Sequence, residues 1–170
     1  KAIDQATKKG TGKRQGRVII PRGTYYLKGT LIIRSNVYIK CEPGARIIKK
    51  SRKFAYMIRS RIGGGGGYRN IHNVLIERGI WDANYLKYTS TVGGSNMCFV
   101  HGNNVVFRNA TFCNNYATHL IELVGMKNVV IEKCKLYGYR SYSNEVKKEA
   151  IQIDIAHSDK IISKGYSYDD

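Results

Sequence analysis

The runs THLIELV (118–124) and EAIQIDI (149–155) are apolar segments interrupted by Glu122, Gln152 and Asp154. If Ile121 and Ile151 face inward on neighbouring strands, with Leu123 and Ile153 beside them, strand alternation turns Glu122 and Gln152 outward about 5 Å apart. Asp154 follows on the same face. Glu122 and Asp154 could then act as acid and base on a glycosidic bond, which needs two carboxyl groups flanking it at about 5 to 10 Å. The same oxygens could hold a hard cation such as Ca²⁺. For a lyase, Lys87, Arg140 or Lys147 is the candidate for taking the proton next to a uronate carboxylate, its pKa lowered by cationic neighbours. The plainer alternative is that outward Glu and Gln solvate a sheet.

Asp82 is a second candidate. The run WDANY could present Asp82, Asn84 and Tyr85 to a sugar, with Tyr85, Tyr88 and Tyr116 as stacking platforms. Against this stands an Asp that closes a turn at a strand end. His119 shares the parity of Ile121 and reads as a core-edge histidine, or as one turned to solvent at the strand's start. His101 and His157 sit beside turns (VHGNN, AHSDK), where exposed histidines are common.

The elements that must position these residues are written three times over. NVLIERGIWDAN from Asn73, NVVFRNATFCNN from Asn104 and NVVIEKCKLYGY from Asn128 align on their asparagines, and a weaker copy starts at Asn36. One residue on are Val74, Val105 and Val129, and three on are Ile76, Phe107 and Ile131. Six on are the small residues Gly79, Ala110 and Cys134; eight on are the large ones Trp81, Phe112 and Leu136. Apolar residues alternating across a short break mean two strands with one inward face each. MCFV (97–100) and LIELV (120–124) supply a further strand before two of the anchors. The repeat is thus one coil of about three short strands, stacked on the next, with Asn at a turn where it tolerates the left-handed region.

The expected fold is all-β: a right-handed parallel β-helix over 1–170 as one domain, with the coils expected to continue past Asp170. Ala2, Ile3 and Ala6 have helical spacing, so a short N-terminal helix is expected to cap the first coil and block its edge. GGGGG (63–67) reads as a protruding loop; it lacks the order of a phosphate-binding loop.

Composition narrows the function. The chain has 29 Lys and Arg against 12 Asp and Glu, a formal net charge of +17. Such a field concentrates polyanions and weakens with salt. Acidic polysaccharide, nucleic acid and anionic membrane all qualify, as does a merely solvated cationic surface. No recognisable nucleic-acid domain motif accompanies the charge, which ranks that partner third. Cys41, Cys98, Cys113 and Cys134 lack metal-ligand spacing and read as small buried residues, although their even number permits disulfides. No apolar run reaches the roughly 18 residues of a membrane span.

The stretch GRVIIPRGTYYLKGTLIIRSNVYIKCEPGARI resembles the opening of the pectate-lyase-like superfamily, in which a capping helix leads into a V-x-I-P-x-G-T-Y strand and turn. Polygalacturonase-like hydrolases, polysaccharide lyases and phage tailspikes share it, and the Asn-anchored coils are similar to their rungs. The resemblance implies a secreted or cell-surface protein of bacterial or phage origin. The NTD, DD, GHG and RIK blocks of polygalacturonase-like hydrolases are not intact here; the adjacent pair Asp169 and Asp170 ends the chain. The expectation is a protein that binds, and in its enzymatic form cleaves, an acidic polysaccharide, using Glu122, Asp154 and Asp82 with Gln152, His119, Lys87, Tyr85 and Arg140 as substrate contacts. The alternative is a non-catalytic glycan-binding or adhesive module, because fold does not fix function.

Overall fold

A computed structural model describes residues 1–12, 14–61, 67–89, 96–141 and 148–155. A short helix α1 (Ala2–Lys9) precedes β1 (Gly16–Ile20), β2 (Gly23–Leu27) and β3 (Leu31–Ile33). Next come β4 (Val37–Cys41), β5 (Ala45–Lys49), β6 (Ile58–Ser60), β7 (Ile71–Glu77) and β8 (Ile80–Asp82). The series closes with β9 (Met97–Arg108), β10 (Thr111–Tyr116), β11 (Ile121–Glu132), β12 (Lys135–Arg140) and β13 (Ile151–Asp154).

Among the described residues every pairing between strands is parallel. One sheet runs β1-β4-β7-β9-β11-β13, with β3 joined through β6 to β9; the other runs β12-β10-β8-β5-β2. Each strand therefore pairs with its counterpart one repeat away, which makes the chain a stack of β-helix-like coils. Three sets of strands result. The first holds β1, β4, β7 and the second halves of β9 and β11; the second holds the five strands of the smaller sheet; the third holds β3, β6, the first halves of β9 and β11, and β13.

The strands separately expected before Asn104 and Asn128 are not separate. β9 and β11 run on through two left-handed residues each, His101 (54°) and Asn104 (53°) in β9, Gly125 (56°) and Asn128 (52°) in β11. Left-handed residues turn the chain without ending the strand, and nothing in the apolar pattern marks those at His101 and Gly125. His101 is also buried, not an exposed turn residue, with Nδ1 2.9 Å from the Gly67 carbonyl.

The anchor asparagines behave as their chemistry dictates. Asn36, Asn73, Asn104 and Asn128 have φ of 59°, 54°, 53° and 52°. Five residues on, Arg78, Asn109 and Lys133 form a second left-handed column at 62°, 54° and 53°. The Asn73 amide donates to the Asn36 Oδ1 (3.0 Å), tying one coil to the next.

Inside the stack the register matches the repeats. Val37, Val74, Val105 and Val129 are aligned, as are Ile39, Ile76, Phe107 and Ile131. Ile47, Trp81, Phe112 and Leu136 form a third column. Phe107 packs edge-on against both Phe99 and Phe112. Gly79 lies against the buried Cys41, where a Cβ would meet Sγ at 2.7 Å, so the small column is small by necessity. The four cysteines form no disulfide. At the first coil α1 lies so close that a Cβ on Gly16 would fall 1.8 Å from the Ala6 carbonyl oxygen.

One of the inward positions carries an amine. Lys49, on the buried face of β5, is fully buried, donates to the Ala55 carbonyl (3.1 Å) and lies over the Phe54 ring (5.1 Å). Burial lowers its pKa to about 8.

Candidate functional site

The outward residues of the third strand set form a column: Ile32, Arg59, Cys98, Glu122 and Gln152, each opposite the next. Glu122 thus faces Gln152 on the adjacent strand, while Asp154 stands opposite Val124. One strand spacing combined with two residue rises separates Glu122 from Asp154 by about 8 Å along the backbone grid. Glu122 is half-buried and Asp154 exposed, its Oδ1 accepting from the Ile155 amide (2.8 Å). Cys98 of this column is buried together with Val100 and Val124, and Tyr56 packs against them. Lys147 and His157 lie outside the described residues.

Asp82 belongs to the second set, in a column running Tyr26, Ile48, Asp82, Cys113 and Tyr137. It points outward in parity yet is only 2% exposed. Its carboxylate accepts from Arg46 Nη2 (2.5 Å), Asn114 Nδ2 (2.8 Å) and the Asn84 amide (2.8 Å). With three donors on its carboxylate, Asp82 is a hub that fixes the Asn84–Tyr85 turn. In return it holds the Arg46 guanidinium above its ordinary pKa. Burial, helped by the Asp82 charge, pushes the Cys113 thiol up to about 11, which makes it a poor nucleophile.

The hub supports a pair of residues singled out by type. Arg140 stacks on the Tyr85 ring, with the guanidinium carbon 4.3 Å from the centroid. The Tyr85 amide donates to the Asn114 carbonyl (2.7 Å), and the Ala117 amide to the Arg140 carbonyl (2.7 Å), so both residues are pinned to the coil between them. Gly138, with φ of 80°, makes room: a Cβ there would stand 2.5 Å from Asn114 Oδ1 and 2.9 Å from the Tyr85 hydroxyl.

His119 is buried just before β11, its Nδ1 3.0 Å from the Glu149 carbonyl and 3.4 Å from the Glu149 carboxylate. Lys87 is exposed, and its carbonyl accepts from Arg52 (3.2 Å). The candidates therefore fall into two groups: Glu122, Gln152 and Asp154 on the third set, and Asp82, Tyr85 and Arg140 around the second. Among the described residues no three His, Cys, Asp or Glu side chains converge on a metal position.

Several residues of the second set escaped the sequence reading. Tyr26 and Tyr137 are 55% and 54% exposed, and Lys50 lies over the Tyr26 ring at 4.8 Å. With Arg46, Tyr139 and Arg140 they make one outward face of tyrosines interleaved with cations. The repeat register carried this signal, since it aligns Tyr137 with Asp82, but the residue types vary from coil to coil.

The class defined by this architecture is a stack of parallel β-coils, and known proteins share it. No protein-family model matches the chain. It is 26% identical over 191 aligned positions to the plasmin and fibronectin-binding protein A of Streptococcus pneumoniae, covering 98% of this chain and 25% of that protein. The chain thus spans about a quarter of the length of that relative. The crystal structure of PfbA, a surface adhesin of Streptococcus pneumoniae, superimposes with a TM-score of 0.69 at 20% identity, over 88% of this chain and 37% of the other. A candidate glycosyl hydrolase from Parabacteroides merdae matches with a TM-score of 0.57 at 15% identity, over 99% and 89%. At these identities the structural likenesses are likenesses of fold. Among the described residues no helix is long and apolar enough to cross a membrane.

Proposed function

We propose that the chain is part of a bacterial cell-surface protein, a right-handed parallel β-helix of the pectate-lyase-like kind, and that it binds an acidic polysaccharide. The observation that carries this is the second-set face, where Tyr26, Tyr85, Tyr137 and Tyr139 stand among Lys50, Arg46 and Arg140. Tyrosine rings offer flat faces to sugars, and the cations match carboxylates or sulfates along a chain. Tyr26 and Tyr137 are four strand steps apart, about 19 Å, so the face suits an extended polymer lying across the strands. The net charge of +17 supports an anionic ligand, and the likeness to a surface adhesin supports an adhesive role at the cell surface.

Titration with pectate, alginate, chondroitin and heparin tests this reading. Binding is expected for at least one, weakening as salt rises, and Arg140→Ala with Tyr85→Ala is expected to lower affinity about tenfold or more. Undiminished binding by that double variant, or tighter binding to DNA than to every glycan, would sink the proposal.

The placement of Glu122 and Asp154 on neighbouring strands favours a second reading, hydrolysis of a glycosidic bond by two flanking carboxyl groups. Gln152 lies beside them as a substrate contact. Glu122→Gln should then abolish release of reducing ends while leaving binding at the tyrosine face intact. A lyase would instead yield an unsaturated product visible by ultraviolet absorbance. Retained cleavage in Glu122→Gln removes that residue from the chemistry.

A further inference from the structure

The outward residues of the first strand set form two columns across β4, β7, β9 and β11. Tyr38, Leu75, Val106 and Val130 stand opposite one another in the first, and Lys40, Glu77, Arg108 and Glu132 in the second. The first column is aromatic and aliphatic: Leu75 and Val106 are half-buried and Val130 is 46% exposed. The second alternates in sign, plus, minus, plus, minus, and so sums to zero on a chain of net charge +17.

Bonds within the chain order this face. The Tyr38 hydroxyl donates to Glu77 on the adjacent strand, and Arg108 pairs with Glu132. Arg17, on β1, lies over the Tyr38 ring at 5.3 Å. Side chains that are already held lose little freedom when a partner arrives. Each carboxylate keeps acceptor positions beyond its one bond, since an ionised carboxylate offers about four.

An alternating ladder with an even number of charges is complementary to its own reverse. A second copy turned by a half-rotation about an axis parallel to the strands, midway between β7 and β9, can be laid face to face on the first. Lys40 then meets Glu132 and Glu77 meets Arg108, each pair twice, while Tyr38 meets Val130 and Leu75 meets Val106. A slip of one strand puts Lys40 on Arg108 and Glu77 on Glu77, or Glu77 on Glu132 and Arg108 on Arg108. The two-fold that runs along the stack instead lays the charged column on the apolar one. A single full-length register is attractive, as an isologous contact requires.

We propose that this face is the contact surface of a two-fold dimer of the chain, with Leu75 and Val106 at its centre and the charge ladder setting its register. Four strands by about five residues cover roughly 19 by 16 Å. A patch of that size lies at the small end for protein pairs, so the association is weak, with a Kd on the order of 100 µM. The tyrosine face of both copies stays open, and the dimer neither needs nor disturbs glycan binding.

Sedimentation equilibrium from about 10 µM to about 1 mM tests this. The mass should rise from one chain of 19.2 kDa toward two and no further, because a two-fold contact closes. Lys40→Glu and Glu132→Lys should each weaken self-association about tenfold or more, since each sets like charges together at both ends of the ladder. An equimolar mixture of the two should dimerise again, because the new acid of one variant faces the new amine of the other. Glu77→Lys mixed with Arg108→Glu is a second such pair, and each variant is used where its thermal melt matches the parent. Val106→Lys, at the centre, should weaken the dimer as well. A single-chain mass up to about 1 mM overturns the proposal. So does self-association unmoved by the charge variants, failure of the mixtures to recover it, or growth beyond two chains.

Discussion

Arg46 and Asp82, 36 residues apart in the chain, meet at 2.5 Å across two adjacent strands of the smaller sheet. The carboxylate is buried and the guanidinium is 48% exposed. Each partner thus supplies what the other lacks: Arg46 brings charge compensation to a dry site, and Asp82 anchors a cation on the outer face.

Asp82→Ala should therefore be among the more damaging changes on this face, because it strands the Asn114 amide, the Asn84 amide and Arg46 together. Hydrogen bonds to charged groups contribute about 1.5 to 3 kcal/mol each, so a loss of roughly 3 kcal/mol is expected, read as a drop in urea midpoint at constant slope. Asp82→Asn should cost less.

Gly79→Ala should also destabilise strongly, since φ of 82° and the Cys41 Sγ both oppose a Cβ. The left-handed strain alone is about 1 to 2 kcal/mol. Adding Cys41→Ala should recover part of the remainder, and a double-mutant cycle in thermal unfolding would measure the coupling between the two positions.

The asparagine column can be dissected by choice of residue. At Asn73, with φ of 54°, Gly tolerates the backbone but loses the bond to Asn36, whereas Ala loses both. Asn73→Ala should cost about 1 to 2 kcal/mol more than a substitution that leaves the backbone relaxed. The difference between Asn73→Ala and Asn73→Gly melts checks it.

Lys49 predicts a pH dependence of definite sign. Its pKa falls from 10.5 to about 8 on folding, so between those values the folded chain binds fewer protons than the unfolded one. Stability from this group rises as pH rises through that window, and below pH 8 its charged burial costs about 3 kcal/mol. Relative to Lys49→Met, wild type should gain stability between pH 8 and 10.5. The opposite slope would show that the amine is not desolvated. Tyr38, pushed up to about 12 by burial and by its bond to Glu77, acts in the other direction above pH 10 in both proteins and cancels in the comparison.

How much of this was legible in the sequence depends on what fixes each residue. The columns Val74–Val105–Val129 and Trp81–Phe112–Leu136 could be read because stacking forces like residues onto like positions. The facing of Glu122 and Gln152 followed from the same parity. What could not be read arose where one residue acts alone: the left-handed bend at His101, which keeps β9 continuous, and the inward Lys49, whose partner carbonyl at Ala55 carries no side-chain signature. Asp82 was placed on the correct column, but its burial depends on Arg46 and Asn114, each from a different coil, and no local pattern names them.

The uneven pairing of the third strand set gives the stack a mechanical grain. β6 meets β9 through Ile58–Met97 and Arg59–Cys98, whereas β9 meets β11 along nearly its whole length. Backbone bonds between coils point along the stack, so a pull on its two ends loads the coil boundaries in series, like links of a chain. The boundary after β6 is the thinnest link. Under tension the first two coils part there as a block from the three that follow.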